Sequence, residues 1–268
     1  MKAASIQMTS GRSVERNLRE AARLLHEASA AGADLVVLPE NFAFLSADDS
    51  ERLSVSESWA EGPIQSFLAE QAADNEFWLV GGTVPIRDGC GKAHSASLLF
   101  TPQGELAVRY DKIHLFDVGI PGETESYQES LTTVAGARPV SAVTPIGHVG
   151  LAVCYDLRFP ALFQRLGEFG MEILALPAAF TVPTGRAHWR VLLRARAIEG
   201  LCYVIAAAQS GRHPGGRQTY GHSMIVDPWG EILAELDSDP GVIVVDTDMM
   251  RLRQVRETFP ALEHRRQL

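Results

Sequence analysis

Cysteine is scarce in this chain: three in 268 residues, Cys90, Cys154 and Cys202. They show no paired spacing and are too few for a disulfide framework, which fits a reducing compartment and makes the cytoplasm the expected location. Long apolar runs are missing as well. The longest, residues 201–208, falls far short of the roughly 18 residues that a membrane span requires, and the start MKAASIQMTS turns polar too early for a signal peptide. Basic charge is also in short supply, with 24 Lys and Arg against 33 Asp and Glu and a formal net charge of −9. Nucleic acids and anionic membranes are bound by clustered cations that release counter-ions, so neither is expected as a partner. No HEXXH or CXXC is present, nor any other metal-ligand spacing, and neither metal nor other cofactor is expected.

What is present is an α/β alternation without linker-like stretches, read as one domain over residues 1–268. A strand at 3–8 precedes a helix at 13–31, whose Val14, Leu18, Ala21, Leu25 and Ala28 share one stripe. The short apolar run 34–38 resembles a strand covered on both faces and stops at Pro39, immediately before Glu40. A helix near 64–73 follows, then a strand at 77–82 and a hairpin of strands 95–100 and 105–110. Residues 112–140 are irregular and rich in Gly, Pro, Ser and Thr, longer than an ordinary connection and of the kind that carries function. Regular structure resumes with strand 149–154, a helix near 159–169, strand 173–176, a helix near 188–199 and strand 203–208. Strands 223–226, 232–234 and 242–245 precede a basic, extended tail.

Three residues stand at positions where chemistry is easy to build. Cys154 ends the apolar strand GLAVC, and Pro160 suits the first turn of the next helix. A side chain on such a strand–turn–helix junction is presented at the sheet edge, where backbone N–H groups favour a thiolate. Cys202, inside LCYVIAAA, reads instead as a small buried hydrophobe, and Cys90 lies between two glycines in a turn. Thiol attack on an amide needs a base and a positive group for the developing negative charge. Glu40 and Lys112 each follow a strand and are placed to project into one pocket. A carboxylate there is pushed up by a second carboxylate and pulled down by the ammonium, which also stabilises thiolate.

The segments LVVLPENF with Glu40, YDKIHLFD with Lys112 and GLAVCYDLRFP with Cys154 resemble, in order, the three catalytic motifs of the nitrilase superfamily. The likeness continues through AHWRVLLRARAIE, AAAQSGRH and YGHSMIVDPWGE. It is strongest to the Nit amidases, and there to the branch that hydrolyses deaminated glutathione to 2-oxoglutarate and cysteinylglycine, ahead of the ω-amidase branch that acts on α-ketoglutaramate. This resemblance implies a four-layer αββα sandwich and a small-molecule amide substrate. It also implies a homodimer with sheets extended across the interface, the tail from about residue 255 reaching the partner. It assigns Glu40 as general base, Cys154 as nucleophile, and Lys112 with the Tyr155 backbone N–H as oxyanion donors, with Glu129 matching a second family glutamate. Arg158 is the guanidinium suited to the substrate carboxylate, and Phe180, Thr181 and Thr184 match a loop lining the same pocket. The loops 88–92 and 213–218 bear on substrate size.

Other readings compete. His114, His188 or His222 would serve as base in a Cys–His enzyme. A metal-dependent hydrolase and a catalytically silent scaffold on the same fold are the others.

Overall fold

The computed structural model describes residues 1–121 and 126–266. Residues 122–125 of the long irregular segment, and 267–268 at the end of the tail, lie outside the described residues. In the first half, β1 (Lys2–Gln7), α1 (Val14–Ala30), β2 (Leu35–Val37), α2 (Pro63–Asp74) and β3 (Trp78–Val80) alternate, with β1, β2 and β3 parallel neighbours. The strands β4 (Val84–Arg87), β5 (Ala93–Phe100) and β6 (Leu106–Asp111) extend the same sheet antiparallel. A short hairpin, β7 (Asp117–Gly119) and β8 (Ser126–Gln128), then leads into the second half.

There β9 (Val140–Thr144), β10 (Gly147–Leu151), α3 (Pro160–Glu168), β11 (Ile173–Ala178), α4 (Val182–Gly200) and β12 (Tyr203–Ala208) repeat the alternation, and β10, β11 and β12 are parallel. The hairpin β13 (Ser210–Arg212) and β14 (Gln218–Tyr220) precedes β15 (Met224–Val226) and β16 (Ile232–Glu235), which close the second sheet. Then β17 (Gly241–Asp246) crosses back to pair with β1 in the first sheet. Last comes α5 (Met249–Thr258).

The two sheets pack face to face with helices outside, the four layers that the family resemblance implied. Alternation along β1 shows why: Ala3 packs between the sheets, while Ala4 and Ile6 join Ala21, Leu24, Leu25 and Ala28 of α1 in the outer core. A strand buried on both faces needs apolar side chains at every position, and β2 and β12 have them. One polar stitch crosses the middle layer, where the buried Ser5 hydroxyl donates to the Ala206 carbonyl at 2.8 Å. Among the described residues no helix is long and apolar enough to cross a membrane.

Three departures from the expected elements have local causes. Pro85 sits inside β4, and a proline that withholds an N–H made that segment unreadable as a strand. The helix expected from 188 begins at Val182, because Pro183 is compatible with a first helical turn. The tail is not extended from its start: Asp248 accepts from the N–H groups of Met250 and Arg251 and starts α5, where only Leu252 is buried and the apolar periodicity is weak.

Candidate active site

Glu40, Lys112 and Cys154 come from three strand ends. The Leu38 N–H donates to the Val80 carbonyl at 2.9 Å, carrying the β2–β3 ladder on to Pro39. The chain then turns at Asn41, whose φ of 57° is held by its N–H to Thr83 Oγ1 at 2.9 Å. Gln209 donates to the Glu40 carbonyl at 3.0 Å, and a Cβ on Gly82 would lie 2.2 Å from the Pro39 carbonyl oxygen. Only glycine fits against this bend. On the other side, the Lys112 N–H prolongs the β5–β6 pairing by donating to the Ser95 carbonyl at 3.0 Å. Gly136 closes over it, with its N–H on the Lys112 carbonyl at 2.8 Å.

Cys154 opens a single 3-10 turn, Cys154–Arg158, after extended Val153. Its φ is 48°, a left-handed conformation that costs a non-glycine residue of order 1–3 kcal/mol and persists only where the surroundings enforce it. Asp156 does the enforcing. Its fully buried carboxylate accepts from the Val153 N–H at 2.9 Å, the Tyr110 hydroxyl at 2.6 Å and the His114 N–H at 3.0 Å. The Cys154 sulfur receives the Ala179 N–H at 3.5 Å.

The three side chains meet with Glu129 at one cavity. Lys112 Nζ donates to Glu40 Oε1 at 2.9 Å and to Glu129 Oε2 and Oε1 at 2.8 and 3.1 Å. Glu129 opens a short turn and also accepts the Phe116 N–H at 2.8 Å. All four are nearly inaccessible: Lys112 2%, Glu40 3%, Glu129 7% and Cys154 8% exposed. Burial alone pulls the ammonium of Lys112 down, but the charges of Glu129 and Glu40 outweigh it and hold its pKa above the ordinary lysine range. Burial pushes Glu129 up, and Lys112 and Arg52 more than reverse this, leaving it below the usual carboxylate value. The thiol departs from the expectation of a turn that favours thiolate. Burial, and next the negative charge of Glu40, push the Cys154 pKa well above that of a free cysteine, with Lys112 and the Ala179 N–H opposing them only in part. A thiol so placed holds its proton more firmly than a free cysteine.

Tyr155, Arg158, Phe180, Thr181 and Thr184 line the same cavity. The Arg158 guanidinium lies 5.2 Å over the Phe180 ring, with Nη1 3.1 Å from His188 Nδ1. Sequence reasoning missed Asp156 as the brace of the turn, and missed Asp49, Arg52 and Arg217 in the cavity lining. His114 is held by Asp156 at 2.7 Å and stacked on Phe159, and His222 faces Glu235 at 3.2 Å. None of His114, His188 and His222 is among the described residues lining the cavity. Cys202 is buried, its thiol pushed up to about 12 chiefly by burial, while Cys90 is exposed.

Comparison with known proteins gives concordant matches. The carbon-nitrogen hydrolase family model matches residues 2–257. A Synechocystis protein named deaminated glutathione amidase is 44% identical over 267 residues, covering 98% of this chain and 97% of that one. Among solved structures, the Caenorhabditis elegans NitFhit protein superposes with a TM-score of 0.92 at 36% identity over 99% of this chain, which spans 65% of that longer one. Saccharomyces cerevisiae Nit3, a member of branch 10 of the nitrilase superfamily, gives 0.88 at 30% identity, covering 97% of this chain and 94% of that one.

Proposed function

This chain belongs to the carbon-nitrogen hydrolase family, a hydrolase of carbon–nitrogen bonds other than peptide bonds, and from that premise we propose that it cleaves deaminated glutathione to 2-oxoglutarate and cysteinylglycine through a thioester on Cys154. One observation carries the catalytic part: a single buried ammonium shared by two carboxylates, with the Cys154 thiol in the same cavity. In this reading Glu40 takes the proton from Cys154 as the sulfur attacks the amide carbon. Lys112 and the Tyr155 backbone N–H hold the developing oxyanion. Glu40 passes the proton to the departing amine, the carbon–nitrogen bond breaks, and a thioester remains. Water then enters, gives a proton to Glu40 and adds to the thioester; collapse returns that proton to the sulfur and releases the acid. Glu129 keeps Lys112 charged and oriented, so the lysine serves as an electrostatic group rather than a base.

The substrate assignment rests on the named Synechocystis relative. Arg158 holds the carboxylate beside the 2-oxo group, with Phe180, Thr181 and Thr184 shaping the wall. A homodimer follows from the same reading. Its support is a set of exposed apolar side chains, Val191 and Ile198 of α4 and the Trp229–Phe259 ring pair, 68%, 47%, 58% and 51% exposed. Arg265 of the tail bonds its own chain at the Glu199 carbonyl, 3.0 Å away. Unpaired cysteines support a cytoplasmic location, and residues 1–268 act as one domain.

The test is a rate comparison on deaminated glutathione, α-ketoglutaramate, glutamine amides and a simple nitrile, with intact mass recorded under turnover. A Cys154 adduct and preference for deaminated glutathione are expected. An acylated or active Cys154→Ala enzyme ends the catalytic assignment, and a preference for α-ketoglutaramate ends the substrate assignment.

A further inference from the structure

Beside the catalytic cavity lies a second one, and the two share Asp49, Tyr127 and Arg217. The catalytic cavity is a narrow slot of about 30 Å³, whereas the adjoining one has about 510 Å³. The two adjoin at Arg217, so a leaving group larger than ammonia has room in the outer cavity.

Arg217 is built for an anion there. Its side chain is only 10% exposed, and its Nε is buried with no hydrogen-bond partner among the described residues. Its Nη1 reaches Asp49 Oδ1 only at 3.3 Å, and the guanidinium lies 5.1 Å over the Tyr127 ring. A buried guanidinium donor left unmatched is costly, and a carboxylate presenting two oxygens matches it bidentately. The backbone around it is firmly held. The His213 N–H donates to the Arg217 carbonyl at 2.8 Å, and the His213 ring is pinned by the Ser10 carbonyl at 2.8 Å and Thr219 Oγ1 at 2.7 Å. The Ala47 N–H binds the Pro214 carbonyl at 3.0 Å, and a Cβ on Gly215 would fall 2.5 Å from Ala47 Cβ. Charge points the same way: the catalytic cavity is lined by four cationic side chains, Arg52, Lys112, Arg158 and Arg217, and three anionic ones, Glu40, Asp49 and Glu129. Two of the anions are engaged by Lys112 and the third by Arg217, and the lining carries one cation more than anions, so it favours a negatively charged substrate.

The geometry points to Arg217 as the group that recognises the terminal carboxylate of a peptide-like leaving group, in a leaving-group subsite formed by the outer cavity. This deepens the substrate reading above and rests on it. Arg158 and Arg217 then act as two rulers at opposite ends of the substrate, and Arg217 is the residue that separates a peptide amide from a primary amide.

Arg217→Met and Arg217→Lys are compared with wild type on deaminated glutathione, on its analogue with the terminal carboxylate replaced by a carboxamide, and on α-ketoglutaramate. With Arg217→Met, kcat/KM on deaminated glutathione is expected to fall about tenfold or more beyond any fall on α-ketoglutaramate, mainly through KM, as for loss of a charge-assisted hydrogen bond. The carboxamide analogue should cost wild type a similar factor and cost Arg217→Met little more, while Arg217→Lys keeps part of the preference. Equal losses on all three substrates, or a full carboxamide penalty persisting in Arg217→Met, overturn the assignment. Wild-type enzyme that leaves deaminated glutathione intact while hydrolysing other amides overturns the substrate reading and this inference together; normal wild-type turnover with an indifferent Arg217→Met overturns this inference alone.

Discussion

The hydroxyl of Tyr110 donates to the Asp156 carboxylate across 2.6 Å, and this one bond joins the strand that delivers Lys112 to the turn that presents Cys154. It spans the two sheets, so a buried contact that touches neither Lys112 nor Cys154 helps to set the spacing between them. Burial, then the charge of Asp156, hold the Tyr110 pKa well above the ordinary phenol value, so the hydroxyl remains a donor at any working pH. Tyr110→Phe leaves one lone pair of Asp156 unmatched and is expected to cost about 1–3 kcal/mol of stability. Asp156→Ala also frees the Val153 N–H and both His114 contacts, and its loss should appear in kcat more than in KM. Urea denaturation and steady-state kinetics check both; Asp156→Ala with wild-type kcat refutes the bracing role.

Among the described residues, Lys112 is the one cation bonded to both Glu40 and Glu129. Lys112→Met strands two buried carboxylates, and breaking such a cluster typically costs about 3–5 kcal/mol. The pH dependence has a definite sign. In the wild type the ammonium holds Glu129 below its ordinary value of 4.5, stability that is present above that pH and lost below it. In the variant burial is unopposed by Lys112 and the folded-state pKa rises, so the deficit is large at neutral pH and shrinks as acid protonates the carboxylates. Urea midpoints at pH 8 and pH 5 measure it. A deficit that grows toward acid contradicts this account.

Glu40 has opposite effects on the two kinds of reaction open to Cys154. Its charge helps push the thiol pKa up while Lys112 pulls it down, so Glu40→Gln removes the first influence and keeps the second. Alkylation of Cys154 by iodoacetamide, followed by peptide mass mapping with exposed Cys90 as internal standard, should shift its pH midpoint downward in the variant. Amide turnover should fall by about 10²–10⁴, the usual contribution of a positioned base. A midpoint that rises, or turnover that survives, counts against Glu40 as the base.

Glu40, Lys112 and Cys154 were legible in the sequence because each directly follows an apolar strand, and a strand end is where a sheet exposes chemistry. The α/β alternation was legible from apolar strands alternating with helical stripes, and the four layers followed from the family resemblance. Asp156 stood in plain view two residues from Cys154, yet its role depends on Tyr110, 46 residues earlier, and no local pattern encodes that pairing. Arg52 reaches the cavity from a 3-10 helix, Asp49–Val55, and Arg217 from a loop whose path is set by contacts with distant backbone, such as Pro214 on Ala47. The balance of influences on the thiol was illegible for a related reason. The turn predicts N–H groups that favour thiolate, whereas burial and a facing carboxylate, both tertiary facts, dominate.

His213 offers a way to test whether the loop carrying Arg217 is held as tightly as its contacts imply. Burial, the largest influence, keeps its pKa below the ordinary 6.5, against the opposing bond to the Ser10 carbonyl. In the neutral ring Nδ1 donates to that carbonyl and Nε2 accepts from the Thr219 hydroxyl. An unfolded chain takes up this proton near pH 6.5, while the folded one resists it until lower pH. Between those two values the unfolded state binds more protons, so stability present above 6.5 is lost as pH falls. His213→Gln retains a donor and an acceptor but does not titrate, and its urea midpoint should decline less than that of the wild type between pH 7.5 and pH 5.5. Parallel declines in the two proteins show that His213 is free to protonate in the folded state, and an Arg217 carried on so loose a loop would lose the preorganisation that a carboxylate clamp requires.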